Sequence, residues 1–193
     1  MWMLIVGLAV FFGVHLVPTV PEMRARLVGI TGARPYSGLF ALVSAVGLVL
    51  IVLGYSTMQG FGSGNPQLWI PPSWTRHLTM LLMLPALILL VAAYIPSRIR
   101  TGVRHPMLAA VALWAFGHLL VNGDLASVLL FGSFLVYAGY DILSANQRAA
   151  VGPLGKAQGG LVQDVIAIVV GVALYALLLF WGHRIITGIP LVP

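Results

Sequence analysis

Six apolar runs joined by short polar connections make up most of this chain: Trp2 to Val17, Gly38 to Tyr55, about Trp74 to Tyr94, about Pro106 to Val121, about Leu125 to Leu143 and about Leu161 to Trp181. A helix needs about 20 mostly apolar residues to cross a hydrocarbon core of about 30 Å. Inside lipid the backbone must satisfy its own hydrogen bonds, and a helix does so within one segment. Only 7% of the 193 residues are charged and 60% are hydrophobic, with mean hydropathy +1.03, whereas roughly a quarter of a soluble domain is charged. The expected fold is all-α, a polytopic membrane helical bundle of about six transmembrane helices. It forms a single domain over 1–193, with the lipid bilayer as its first partner and almost nothing left for a soluble domain.

The connections set the expected orientation. Basic residues number three after the first run, three after the third and two after the fifth, against one each after the second and at the carboxyl end. The positive-inside rule then puts both termini outside. The net charge of +6 is spread between apolar runs, which is an orientation signal rather than a nucleic-acid footprint. The first run has neither a basic leader nor a small-residue cleavage signature, so no removable signal peptide is expected. Pro18, Pro21 and Pro35 punctuate a connection with Arg24, Arg26 and Arg34, in which Pro21 to Ile30 reads as a short interfacial helix. The loop Ser56 to Ser73 reads as exposed at its tip, with Trp69 and Trp74 at headgroup level.

Ser73 is the expected N-cap of the third run, and Pro85 an expected kink. Asn122, Gly123 and Asp124 form a turn signature that demands a tight hairpin. A polar loop with Arg148, Gly152, Pro153, Gly155 and Lys156 precedes the last run. Ala45, Gly47, Ala109, Ala110, Gly132, Gly139 and Gly171 mark expected close approaches between helices. Asp124, Asp141 and Asp164 fall near span ends, where each is expected to be an interfacial residue or an arginine partner rather than a proton carrier. Asp141 and Asp164 share a side with Arg98, Arg100 and Arg104.

With no cysteine there is no disulfide, thiolate ligand or catalytic thiol, so redox chemistry would need a cofactor. Five histidines occur, at positions 15, 77, 105, 118 and 183. His15, His77 and His118 fall inside apolar segments, where ionisable groups are costly and mark functional candidates. Neutral imidazole is a haem ligand, and bundles house cofactors between helices. Phe11, Phe12 and Gly13 accompany His15, while Trp114, Phe116 and Gly117 accompany His118, which suits a flat ring and suits ordinary packing equally. Interhelical hydrogen bonding is the plain alternative. At about 1.5 Å rise per residue, His15 lies roughly 20 Å from the outer end, His77 roughly 8 Å and His118 roughly 12 Å. Depth therefore pairs His118 with His77 better than with His15, and sequence alone leaves both pairings open. Asn122, one turn past His118, is a candidate to orient its ring.

The strings GVHLV around His15, SWTRHL around His77, YIPSRIR, VRHPMLAAVALWAFGHLLVNGD and the GYD ending at Asp141 resemble the NnrU family across nearly the whole chain. The resemblance implies a bacterial inner-membrane protein linked to nitrite and nitric oxide metabolism in denitrification. Its fold group includes the plastid zeta-carotene isomerase, a haem b enzyme in which the positions matching His15 and His118 are the proposed axial ligands. The resemblance thus implies haem b, with His15 and His118 as metal ligands and Trp114, Asn122 and His77 as further cofactor-binding candidates. A cysteine matching Ala115 is the proposed alternative ligand in that isomerase. Ala115 excludes a thiolate switch here.

Arg104, His105 and Pro106 also resemble the Arg-His-Pro of membrane methyltransferases of the isoprenylcysteine carboxyl type. Those need acids downstream, and the single Glu is Glu22. An interfacial anchor with Pro in the first turn is the plain reading. No phosphate loop, Ser-His-Asp set or paired carboxylates appear, which argues against hydrolase and nucleotide chemistry. The readings that remain are a haem-binding protein supporting nitric oxide metabolism, a haem-dependent carotenoid isomerase, and a non-haem assembly or partner protein, with a membrane partner or homo-oligomer in view.

Overall fold

The computed structural model describes residues 1–150, 152, 154, 155, 157 and 159–192. Pro153 and Lys156 of the expected polar loop lie outside these residues. Among the described residues the structure is helical, with one isolated antiparallel bridge between Gln67 and Asp124. The helices are α1 (Trp2–Leu16), α2 (Pro21–Thr31), α3 (Ala33–Gln59), α4 (Thr75–Ala92), α5 (Arg98–Val103), α6 (Pro106–Val121), α7 (Leu125–Gln147), α8 (Leu161–Leu177) and α9 (His183–Thr187). A five-residue π-type segment, Leu178–Gly182, joins the last two.

Among the described residues, five helical stretches are long and apolar enough to cross a membrane: Trp2–Thr19, Ala33–Gln59, Thr75–Ala92, Leu125–Gln147 and Leu161–Thr187. The sixth expected span, α6, is apolar but has only 16 residues. It is trimmed from both sides. Arg104 has φ 62° and ψ −53°, and the His105 N–H reaches back to the Val103 carbonyl at 2.7 Å, so Arg104 is the centre of a positive-φ γ-turn, a rare and strained form. At the other end Gly123 packs against the Trp69 carbonyl with no room for a Cβ. Large apolar side chains exposed along α3 and α8, such as Leu42, Val49, Val162 and Val169, are what lipid contact requires.

The chain packs as two units. In the unit formed by residues 1–71 and 122–137, α1 lies directly on α3. A Cβ built on Gly7 would stand 2.6 Å from the Ile51 nitrogen, and one on Gly47 2.8 Å from the Phe11 nitrogen, while Gly54 meets the Leu4 backbone. Small residues permit this approach, and dispersion contacts rather than water exclusion hold helices together in lipid. Gly47 was among the expected approaches. Gly132 and Gly139 have open space where a Cβ would be. A helix is present where the short one was expected, as α2, and none of its residues is buried.

In the unit formed by residues 72–121 and 138–193, α4 packs on α6 and α8. A Cβ on Gly171 would stand 2.6 Å from the Ile88 Cα. Thr79 donates through Oγ1 to the Gly117 carbonyl at 2.8 Å. Helix α4 runs unbroken through Pro85. Its N-cap is Trp74 with no side-chain cap bond, so Ser73 does not cap it; the Thr75 hydroxyl instead donates to the Pro72 carbonyl at 2.7 Å. The loop tip is exposed as expected, at Phe61 above all, and Trp69 and Trp74 are exposed.

Candidate functional site

His15 occupies the last turn of α1, and its Nδ1 lies 2.7 Å from the Phe11 carbonyl oxygen. A carbonyl can only accept, so Nδ1 carries the proton and Nε2 carries the lone pair. The ring stacks on Phe11 with centroids 4.1 Å apart. Phe40 of α3 lies 5.1 Å away and Tyr137 of α7 6.1 Å, both centroid to centroid. Phe12 and Phe134 extend this aromatic wall, and the Tyr137 hydroxyl donates to the His15 carbonyl at 3.1 Å. The ring is half-buried.

His118 repeats the arrangement in the last turn of α6. Its Nδ1 donates to the Trp114 carbonyl at 2.8 Å, which again puts the lone pair on Nε2. The Trp114 ring lies 5.3 Å from it. Ala115 is fully buried, and Gly117 faces Met83 and Thr79 of α4. His118 too is half-buried. His77, in the first turn of α4, is exposed. Asn122 is the first residue beyond α6. His15 belongs to the first unit, while His77 and His118 belong to the second. His15 and His118 each make the same bond to the carbonyl four residues earlier.

The two remaining histidines close connections. His105 pairs through Nε2 with Asn146 at 3.2 Å, and His183 donates from Nδ1 to the Ile189 carbonyl at 2.8 Å. Among the described residues no group of three or more His, Asp or Glu is gathered to hold a metal ion. A cavity of about 430 Å³ is lined by Phe180, Trp181, Arg184, Gly188, Pro190 and Val192, none of them an expected site residue.

The three aspartates each have side-chain partners. Asp164 accepts from Arg98 Nε at 2.7 Å and from the Arg98 N–H at 2.6 Å. Asp141 takes Arg148, at 2.7 Å, rather than the Arg98, Arg100 and Arg104 cluster. Asp124 caps α7, accepting the Ser127 N–H at 3.0 Å and the Ser127 hydroxyl at 2.6 Å, with Asn65 at 2.6 Å and Gln59 at 3.2 Å. Burial raises its pKa, but the bonds from Ser127, Asn65 and Gln59 together outweigh that and hold the carboxyl below the ordinary range. Ser127 also meets the Tyr55 hydroxyl at 2.9 Å. This polar cluster was not singled out in the sequence, although an Asp just before an apolar run is an N-cap signature.

Comparison with curated proteins and with solved structures gave no match. A family model described as NnrU protein matches residues 3–191. With its apolar helices and near-complete coverage, the chain is a membrane protein that belongs to the NnrU family.

Proposed function

We propose that this membrane protein binds haem b, which would be held by His118 and, as the candidate second ligand, His15, and that it supports nitrite and nitric oxide metabolism. The reading places it in a bacterial inner membrane with both termini periplasmic. The observation that carries it is the Nδ1 hydrogen bond to the carbonyl four residues earlier, made at both His15 and His118. That bond is the usual device for fixing a ligating imidazole in one tautomer. It holds the ring orientation and raises the basicity of Nε2, the nitrogen a metal takes. Phe11, Phe40 and Tyr137 around His15, and Trp114 beside His118, supply the flat apolar surfaces a porphyrin packs on.

Bound there, haem b would supply a one-electron couple. The residues of the chain orient the ligands. Ala115 offers no sulfur, so ligand exchange to a thiolate is not open to this protein. The test is purification in mild detergent from haem-replete cells, followed by a pyridine haemochrome spectrum. A stoichiometric b-type signal is expected, and a preparation with no Soret band ends the haem reading. The physiological half is tested by deletion: unchanged nitric oxide consumption in the deletion strain would overturn it.

A further inference from the structure

At one end of the second unit, the connection from α4 to α6 is pinned to the connection from α7 to α8. Arg98 binds Asp164, the second residue pair being Arg148 with Asp141. These two bridges use both carboxylates of that end. Arg100 and Arg104 therefore have no carboxylate partner among the described residues. Arg100 is only 6% exposed, and its guanidinium donates from Nη1 to the Ala157 carbonyl at 2.9 Å and from Nη2 to the Gly155 carbonyl at 2.5 Å. Neutral carbonyls occupy two of its five N–H donors and leave its charge uncompensated. A buried charge is stable when an opposite charge accompanies it.

Arg104 lies one helical turn further on, its N–H bonded to the Arg100 carbonyl at 3.0 Å. It is exposed and held in the strained γ-turn described above. Helices α4 and α6 both end at this connection, and α7 and α8 end at the one it is pinned to; apolar helices that cross a bilayer end near its headgroups.

We propose that Arg100 and Arg104 bind the phosphate of an anionic phospholipid headgroup at this end of the second unit. Guanidinium forks match phosphate oxygens in geometry, and the ligand would provide the missing negative charge. A free phosphate ion offers the same chemistry. The position of both arginines at the ends of membrane-crossing helices favours the lipid.

The test uses the full-length protein in nanodiscs of phosphatidylcholine mixed with phosphatidylglycerol, read by native mass spectrometry of retained lipid. The protein is expected to retain phosphatidylglycerol in preference to phosphatidylcholine. Arg104→Ala, which alters an exposed side chain, is expected to lower that preference about fivefold, and Arg100→Gln to lower it further. Arg26→Ala, an exposed arginine on α2, should leave it unchanged. Equal retention of the two lipids, or an equal loss in Arg26→Ala, would overturn the proposal. Inorganic phosphate binding that requires Arg104, without any lipid preference, would overturn the lipid assignment.

Discussion

His15 stacks on Phe11, four residues before it, at 26° between ring planes, while its Nδ1 donates to the carbonyl of the same residue. One residue thus fixes both the tilt of the imidazole and its tautomer. His118 has the same relation to the Trp114 carbonyl. If these two rings are the axial ligands, His15→Ala and His118→Ala should each turn a low-spin haem spectrum high-spin, and His77→Ala should leave it unchanged. Soret position and electron paramagnetic resonance read the outcome. A change with His77→Ala and none with His15→Ala would move the second ligand to His77.

Gly7→Ala puts a methyl group 2.6 Å from a backbone nitrogen of α3, where nothing can swing aside. A loss of about 1–3 kcal/mol is expected, measured by unfolding in mixed micelles. Gly13→Ala, on the same helix but with open space around it, should be neutral and serves as the control.

Asp124 predicts a pH dependence. Its folded pKa is depressed, so it contributes stability that is present above the unfolded value of about 3.9 and lost as pH falls through the lower folded value. The thermal midpoint should therefore drop on acidification below about pH 4, and Asp124→Asn should flatten that drop while lowering the midpoint at neutral pH. An identical acid profile in the two proteins would show that the cap carries no such linkage.

The Thr79 hydroxyl donates to the Gly117 carbonyl across α4 and α6, next to His118. Thr79→Val keeps the shape and removes the donor, at an expected cost of about 0.6 kcal/mol for a hydrogen bond between membrane helices. Gly117→Ala should be milder than Gly171→Ala. The added methyl would meet the mobile end of Met83 in the first case and the backbone at Ile88 in the second.

Five spanning helices were legible because lipid imposes a minimum length and forbids charge, a demand that acts residue by residue. The α6 bounds matched, since Pro106 and the Asn122 to Asp124 turn are chemical punctuation. Helix α3 begins at Ala33 and ends at Gln59, beyond the apolar run at both ends, because helix propensity continues where hydropathy stops. Gly7 and Gly54 were missed, since a glycine shows its packing role only when the facing helix is known. The exposure of His77 and the γ-turn at Arg104 depend on tertiary context that no local pattern encodes.

Helix α6, at 16 residues, is about 24 Å long at 1.5 Å per residue, some 6 Å short of an average hydrocarbon thickness. Neither end can be lengthened, since one is bent at Arg104 and the other is closed by Gly123. For α6 to reach both headgroup layers, the surrounding acyl chains would have to thin locally. Such a mismatch would sort the protein towards thinner membranes.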